Sequence, residues 1–285
     1  MAALVAAFTE QAVLLGESRS LVGIVTRPRA SCRSDAPAIV ILNTGIVHRV
    51  GHHRMYVSLS RVLAKAGRTV VRFDFSGIGD SKPRENRLPA LMASLAEIEE
   101  VLDSVQKTHQ VSKVILVGLC SGADHAALYA HTDSRVVGLV LMDPTMPPTA
   151  RYYFHYLKQR LRNLRNWISV ITGRSGLLRL MSAHLLSNVR QQSDLKDLNL
   201  QNLQFSSYLA KCYRAAAARN IRMLSVFTSV SARHTYERQM LDAFPEASSL
   251  GAVRLEFFPN SDHLFSTDAE RTRLYRVITD WLGST

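Results

Sequence analysis

Short apolar runs alternate with amphipathic stretches along most of the chain. QAVLL (11–15) and LVGIV (21–25), separated by the polar GESRS, predict an antiparallel pair of strands. AIVILN (38–43) follows as a short buried strand, and a helix is expected over roughly 53–66. TVVRFDF (69–75) is the next strand, and the polar turn SGIGDSKPREN leads to a helix with apolar positions at Leu91, Leu95, Ile98 and Leu102. The pattern repeats: KVILVG runs into a helix from about Ser121, VVGLVLMD ends before Pro144, and RMLSVFT (222–228) and VRLEFFP (253–259) are strands each followed by a helix, the last ending near Trp281. Apolar strands alternating with helices predict an α/β protein whose mostly parallel sheet is covered on both faces.

Residues 146–220 interrupt this order. Phe154, Leu157, Leu161, Leu164 and Ile168 recur at helical steps and leave Lys158, Arg160, Arg162 and Arg165 elsewhere on the cylinder. After the break GRSG, Leu177, Leu178, Leu180, Met181, Leu185 and Leu186 mark a second apolar stretch. The expected organisation is therefore one core, residues 1–145 and 221–285, with a basic helical lid inserted at 146–220. Phe154, Leu157 and Leu161 are candidate substrate contacts on the apolar face of that lid. Packing directly against the sheet is the other use of such a face.

Charge sharpens this picture. From Arg151 to Arg222 there are 13 Lys and Arg against two acids, Asp194 and Asp197, so +11 of the chain's net +12 lies there. A surface for an anionic ligand, a carrier protein or a membrane is one reading, and a solvated basic face is the other. The three cysteines, Cys32, Cys120 and Cys212, are too scattered for a zinc site or a disulfide framework and read as free thiols. The start MAALVAAFTE has no basic leader, and no run of 18 apolar residues follows, so a soluble cytoplasmic protein is expected.

The stretch VILVGLCSGAD (114–124) offers two nucleophiles side by side. A sharp strand-to-helix turn that presents a nucleophile needs small residues two before and two after it. Cys120 is flanked in this way by Gly118 and Gly122, whereas Ser121 would be flanked by Leu119 and Ala123. Cys120 fits the turn and Ser121 does not. The following helix N-terminus favours a thiolate, and the Ser121 N–H can donate to a developing oxyanion.

The order of NTGIVHRVG, FDFSGIGDS, GLCSG and a C-terminal SDH resembles the α/β-hydrolase family, with Cys120 in place of its usual serine. Within it, the stretch LNTGIVHRVGHHRMYVSLSRVLAKAGRTVVRFDFSGIGDS is similar to exosortase-system-associated and serine-aminopeptidase-like bacterial hydrolases. The resemblance implies that His263, in the loop NSDHLF, is the general base. It also matches Gly45 and Ile46 to the oxyanion loop, which makes the Ile46 N–H the second donor beside Ser121. The family usually carries its acid just after the strand RMLSVFT, but SVSARHTYERQ has no carboxylate before Glu237. Asp143, one strand earlier, is then the first candidate, with Glu237, or a Cys–His dyad without an acid, as the alternatives; Asp262 supports the loop.

Two further patterns are discounted. His48, His52 and His53 with Arg49 and Arg54 lack companion ligands at a metal-site spacing, so they read as a polar loop, and no metal is expected. SGIGDS lacks the third glycine of a dinucleotide fingerprint, so no cofactor is expected; Asp74, Ser76, Gly77, Gly79 and Asp80 shape a loop under the site instead. The chemistry expected is covalent acyl transfer by a Cys-His-Asp hydrolase, a thioesterase or esterase acting on a small acyl substrate. An acidic acyl-carrier protein or coenzyme A is the candidate partner, and nucleic acid is not expected. Acyl transfer or cyclisation, a non-catalytic acyl binder and peripheral membrane contact stand as alternatives.

Overall fold

The computed structural model describes residues 7–29, 36–85, 87–146, 151, 203–228, 238–243 and 253–283. Its centre is an eight-stranded sheet in the order β1-β2-β4-β3-β5-β6-β7-β8. The strands are β1 (Phe8–Leu15), β2 (Leu21–Pro28), β3 (Ala38–Ile41), β4 (Val70–Phe73), β5 (Val114–Leu119), β6 (Val136–Met142), β7 (Arg222–Thr228) and β8 (Val253–Phe258). β1 and β2 pair antiparallel, β2 joins β4 antiparallel, and every pairing from β4 to β8 is parallel. The central strands β3, β4 and β5 are buried along their whole length, which is why β3 and β5 read as unbroken apolar runs and β4 is interrupted only by Arg72.

The described helices are α1 (Met55–Lys65), α2 (Ala90–His109), α3 (Ser121–Ala130), α4 (Leu203–Ala218), α5 (Gln239–Ala243) and α6 (Asp268–Gly283). On one face of the sheet, Tyr56, Leu59 and Leu63 of α1 and Leu274, Ile278 and Trp281 of α6 pack with Ile39, Val117 and Val140. On the other, Ile98 and Leu102 of α2, Ala126 and Ala127 of α3 and Leu209 and Tyr213 of α4 pack with Val40, Leu116 and Leu139. Each fully buried side chain of this size contributes about 1.5–3 kcal/mol.

Two details differ from the periodicity. The helix expected from residue 53 begins as a 3-10 turn, His52–Arg54, in which His53 and Arg54 both hold positive φ, so the α-helix proper starts at Met55. Residues 203–218 fall inside the expected lid but form α4, whose Phe205, Leu209 and Tyr213 belong to the core beside α3. Phe154, Leu157 and Leu161 of the expected lid, and Glu237, lie outside the described residues.

Candidate active site

At Leu119 the chain leaves β5 and at Ser121 it enters α3, and Cys120 between them holds φ 56°, ψ −120°. A non-glycine residue in that region costs on the order of 1–3 kcal/mol and persists only where its surroundings enforce it. The surroundings here are backbone. A Cβ on Gly118 would lie 2.2 Å from the Gly122 carbonyl carbon, and one on Gly122 would lie 2.5 Å from the Asn43 carbonyl oxygen. Both glycines are therefore required by space, and together they raise Cys120, which is partly exposed, out of the turn. The Cys120 N–H donates to the Met142 carbonyl at 2.9 Å, which ties the turn to the end of β6.

The next residue after Met142 is Asp143, and its backbone is turned by a positive φ of 44°, a conformation an aspartate tolerates. Its carboxylate is almost fully buried and fully engaged: one oxygen accepts the Thr228 N–H at 2.8 Å, and the other accepts the Thr228 hydroxyl at 2.6 Å. That second oxygen also lies 2.8 Å from His263 Nδ1. An ionised carboxylate only accepts, so Nδ1 carries the proton and Nε2 is left for the Cys120 sulfur. The Asp143 hydrogen bond, then that of Cys120, pushes the His263 pKa up to about 10 against the opposing effect of burial.

His263 is aimed by its loop. The Asp262 carboxylate accepts the N–H groups of Leu264 and Ser266, both at 3.0 Å, and Phe265 is fully buried against Phe258. Asp262 thus holds the loop and makes no bond to the ring. Cys120, His263 and Asp143 form one hydrogen-bonded row drawn from the ends of β5, β8 and β6.

Ile46 sits on the tip of a turn between Thr44 and Val47, with its side chain 92% exposed and Gly45 at φ +54°. The turn is held at several points. Asn43 donates to the Val47 carbonyl at 2.8 Å, Thr44 shares a 2.7 Å hydrogen bond with the hydroxyl of buried Tyr56, and the Gly45 N–H donates to the Ser121 hydroxyl at 2.7 Å. Burial pushes the Tyr56 pKa up to about 12, so this phenol keeps its proton. Further along the same loop, Arg49 forms a buried ion pair with Asp74 and reaches Asp80 at 2.5 Å. Its N–H also donates to the Asp74 carboxylate at 2.5 Å, and Asn43 binds that carboxylate as well. Asp74 and Asp80 thus anchor the Ile46 loop, and a Cβ on Gly79 would collide with Asp74.

The sequence reasoning did not single out Asn43, Tyr56, Thr228 or Asp124. Asp124, one turn into α3, accepts the Thr145 N–H and hydroxyl, each at 2.7 Å, and so clasps the segment after Asp143 to the helix that starts at Cys120. A carboxylate in the first turn of a small-residue, alanine-rich helix was the available signal. Of the histidines near the loop, His52 has its pKa lowered by burial and by the neighbouring charges of His53 and His263. Among the described residues no group of three His, Cys, Asp or Glu is arranged to hold a metal ion, and no helix is long and apolar enough to cross a membrane.

The model of the family described as serine aminopeptidase, S33, matches residues 35–211. No curated protein matches the chain in sequence. Among solved structures, the chain is similar to an alpha-beta serine hydrolase homologue from Coxiella burnetii at 14% identity and a TM-score of 0.56, covering 95% of this chain and 96% of that one. It is also similar to an esterase from Pyrococcus furiosus, at 11% identity and a TM-score of 0.59, with 97% and 90% coverage. A haloalkane dehalogenase from Bradyrhizobium elkani aligns at 14% identity and a TM-score of 0.56, with 97% and 98% coverage. At such identities the likeness is one of fold, and the fold is that of the α/β-hydrolases.

Proposed function

The chain belongs to the serine aminopeptidase S33 family, and on that premise we propose that it is an acyl hydrolase working through a thioester on Cys120. The observation that carries this reading is the row Asp143–His263–Cys120, with the sulfur on a sharp turn whose flanking glycines leave no room for a Cβ.

In the proposed reaction His263 starts as the imidazolium, with a proton on Nε2, and the Cys120 sulfur attacks the acyl carbonyl carbon as the thiolate paired with it. The oxyanion that forms faces the N–H groups of Ser121 and Ile46, neither of which donates to another described residue. Collapse breaks the bond to the leaving alcohol or thiol, which takes the proton from His263. Water then attacks the thioester while giving a proton to His263, and the carboxylic acid leaves as the thiolate and the imidazolium are restored. Throughout, Asp143 stabilises the imidazolium, and the two Thr228 bonds hold the carboxylate in line.

Thioesters are the preferred substrate class, because exchange of one thioester for another is close to neutral in energy. The excess of Lys and Arg between Arg151 and Arg222 suits an anionic carrier such as coenzyme A or an acidic carrier protein. The free thiols of Cys120 and Cys212 suit a reducing, cytoplasmic setting. A non-catalytic binder was attractive only while the acid position looked empty, and the bond from Asp143 to the ring favours the enzyme.

The test is intact-protein mass spectrometry with a panel of activated acyl esters and acyl thioesters. An acyl adduct on Cys120 that decays to free acid, and is missing in Cys120→Ala, is expected. An unmodified Cys120 across the panel would overturn the proposal.

A further inference from the structure

Cys120 and Ser121 are adjacent thiol and hydroxyl side chains at the same turn, and only the first is presented as a nucleophile. The second has another engagement. Its Oγ accepts the Gly45 N–H at 2.7 Å, across 76 positions of sequence. This bond joins the first residue of α3 to the tip of the loop that carries Ile46.

The tip needs such a tie. A Cβ on Gly45 would meet nothing within 4 Å, and the Ile46 side chain is 92% exposed, so neither residue is fixed by packing. The turn is pinned below, at Thr44 through Tyr56 and at Val47 through Asn43. Between those two pins stand the peptide units of Gly45 and Ile46, and glycine rotates about φ and ψ more freely than any other residue. The Ile46 N–H belongs to the Gly45–Ile46 peptide, which is suspended between the Thr44–Gly45 peptide, held by the bond to Ser121, and Val47, whose N–H donates to the Thr44 carbonyl at 2.9 Å. A donor that must point at an oxyanion contributes only when it is already oriented, because reorientation during the reaction costs part of what the bond returns.

We propose that the Ser121 hydroxyl is a positioning residue that fixes the oxyanion loop to the nucleophile's helix through the Gly45 N–H, so that the Ile46 N–H is aimed before substrate arrives. The inference rests on the acyl-enzyme reading above. It assigns the serine beside the nucleophile a role by its side chain, separate from the role of its backbone N–H.

Two reactions of the same sulfur separate this role from a general structural one. Acylation by an activated ester builds an oxyanion, whereas alkylation by iodoacetamide is a direct displacement that builds none. Both rate constants are measured on the full chain for wild type, Ser121→Ala and Ser121→Thr. Ser121→Ala is expected to acylate about 10- to 100-fold more slowly, with the effect in the rate constant and not in KM, while Ser121→Thr, which keeps the hydroxyl, stays within about threefold of wild type. Alkylation is expected to stay within about twofold in all three, since it depends on thiolate character and access alone. Equal acylation in Ser121→Ala and wild type would overturn the inference, as would a parallel loss of alkylation. A wild-type chain that alkylates but never acylates would overturn the acyl-enzyme reading itself, and this inference with it.

Discussion

The carboxylate of Asp143 lies 2.8 Å from the ring of His263, although 120 positions separate them in the chain. The sheet makes this possible: β6 is next to β7 and β7 next to β8, so the ends of β6 and β8 flank the end of β7. Thr228 fills that intermediate place and turns both its N–H and its hydroxyl toward Asp143.

Replacing Asp143 by Asn removes the first cause of the raised His263 pKa. In an NMR titration the ring is expected to move from about 10 down toward its ordinary value of 6.5. Turnover should fall on the order of 100-fold or more as the ring loses its orientation. The sign of the stability change follows from the raised value. The charged ring stabilises the fold fully below about 6.5 and loses that contribution as pH rises through about 10. Urea unfolding should therefore show the wild type's advantage over Asp143→Asn to be larger at pH 6 than above pH 10.

Thr228→Val keeps the shape and the N–H bond but removes the hydroxyl donor to Asp143. A stability loss of about 1–3 kcal/mol is expected, because a buried carboxylate oxygen loses a partner. The His263 titration should fall by less than in Asp143→Asn. An unchanged titration curve would show that the hydroxyl does not hold the carboxylate.

Three glycines should respond differently to alanine. At Gly118 and Gly122 the new Cβ meets backbone atoms at 2.2 and 2.5 Å, and a backbone cannot rotate out of the way. Each substitution should cost about 1–3 kcal/mol or more and lower Tm by several degrees. At Gly45 there is open space, so only the positive φ opposes alanine and the cost should be about 1–2 kcal/mol. Differential scanning calorimetry of the three variants ranks them.

Arg49→Ala strands the fully buried Asp74 carboxylate without its cation. Losing one partner of such a pair costs about 3–5 kcal/mol, which urea unfolding will read. The loop from Thr44 to Gly51 loses its anchor at the same time, so acylation of Cys120 should slow as well.

How far the sequence could be read depended on the range of each signal. The central strands were legible because burial on both faces leaves nearly unbroken apolar runs, and the turn at Cys120 because its steric demand falls on residues two positions away. Asp143 stood among alternatives in the sequence, since its partner depends on which strands are neighbours, and adjacency leaves no local mark. The Ser121–Gly45, Tyr56–Thr44 and Arg49–Asp74 bonds were hidden for the same reason. At residues 203–218 an alanine-rich helix with Lys211 and Arg214 continues the basic character of the segment before it, while its Phe205, Leu209 and Tyr213 pack in the core.

The clasp of Asp124 on Thr145 bears on how much change the chain tolerates between β6 and α4. The chain departs after Met146 from a point moored to α3, and it returns through α4, which is packed on that same helix. Whatever is spliced between those two moorings can lengthen, shorten or be traded without tugging on the sulfur. The setting of the sulfur is thereby secured from both sides of the interruption between β6 and α4.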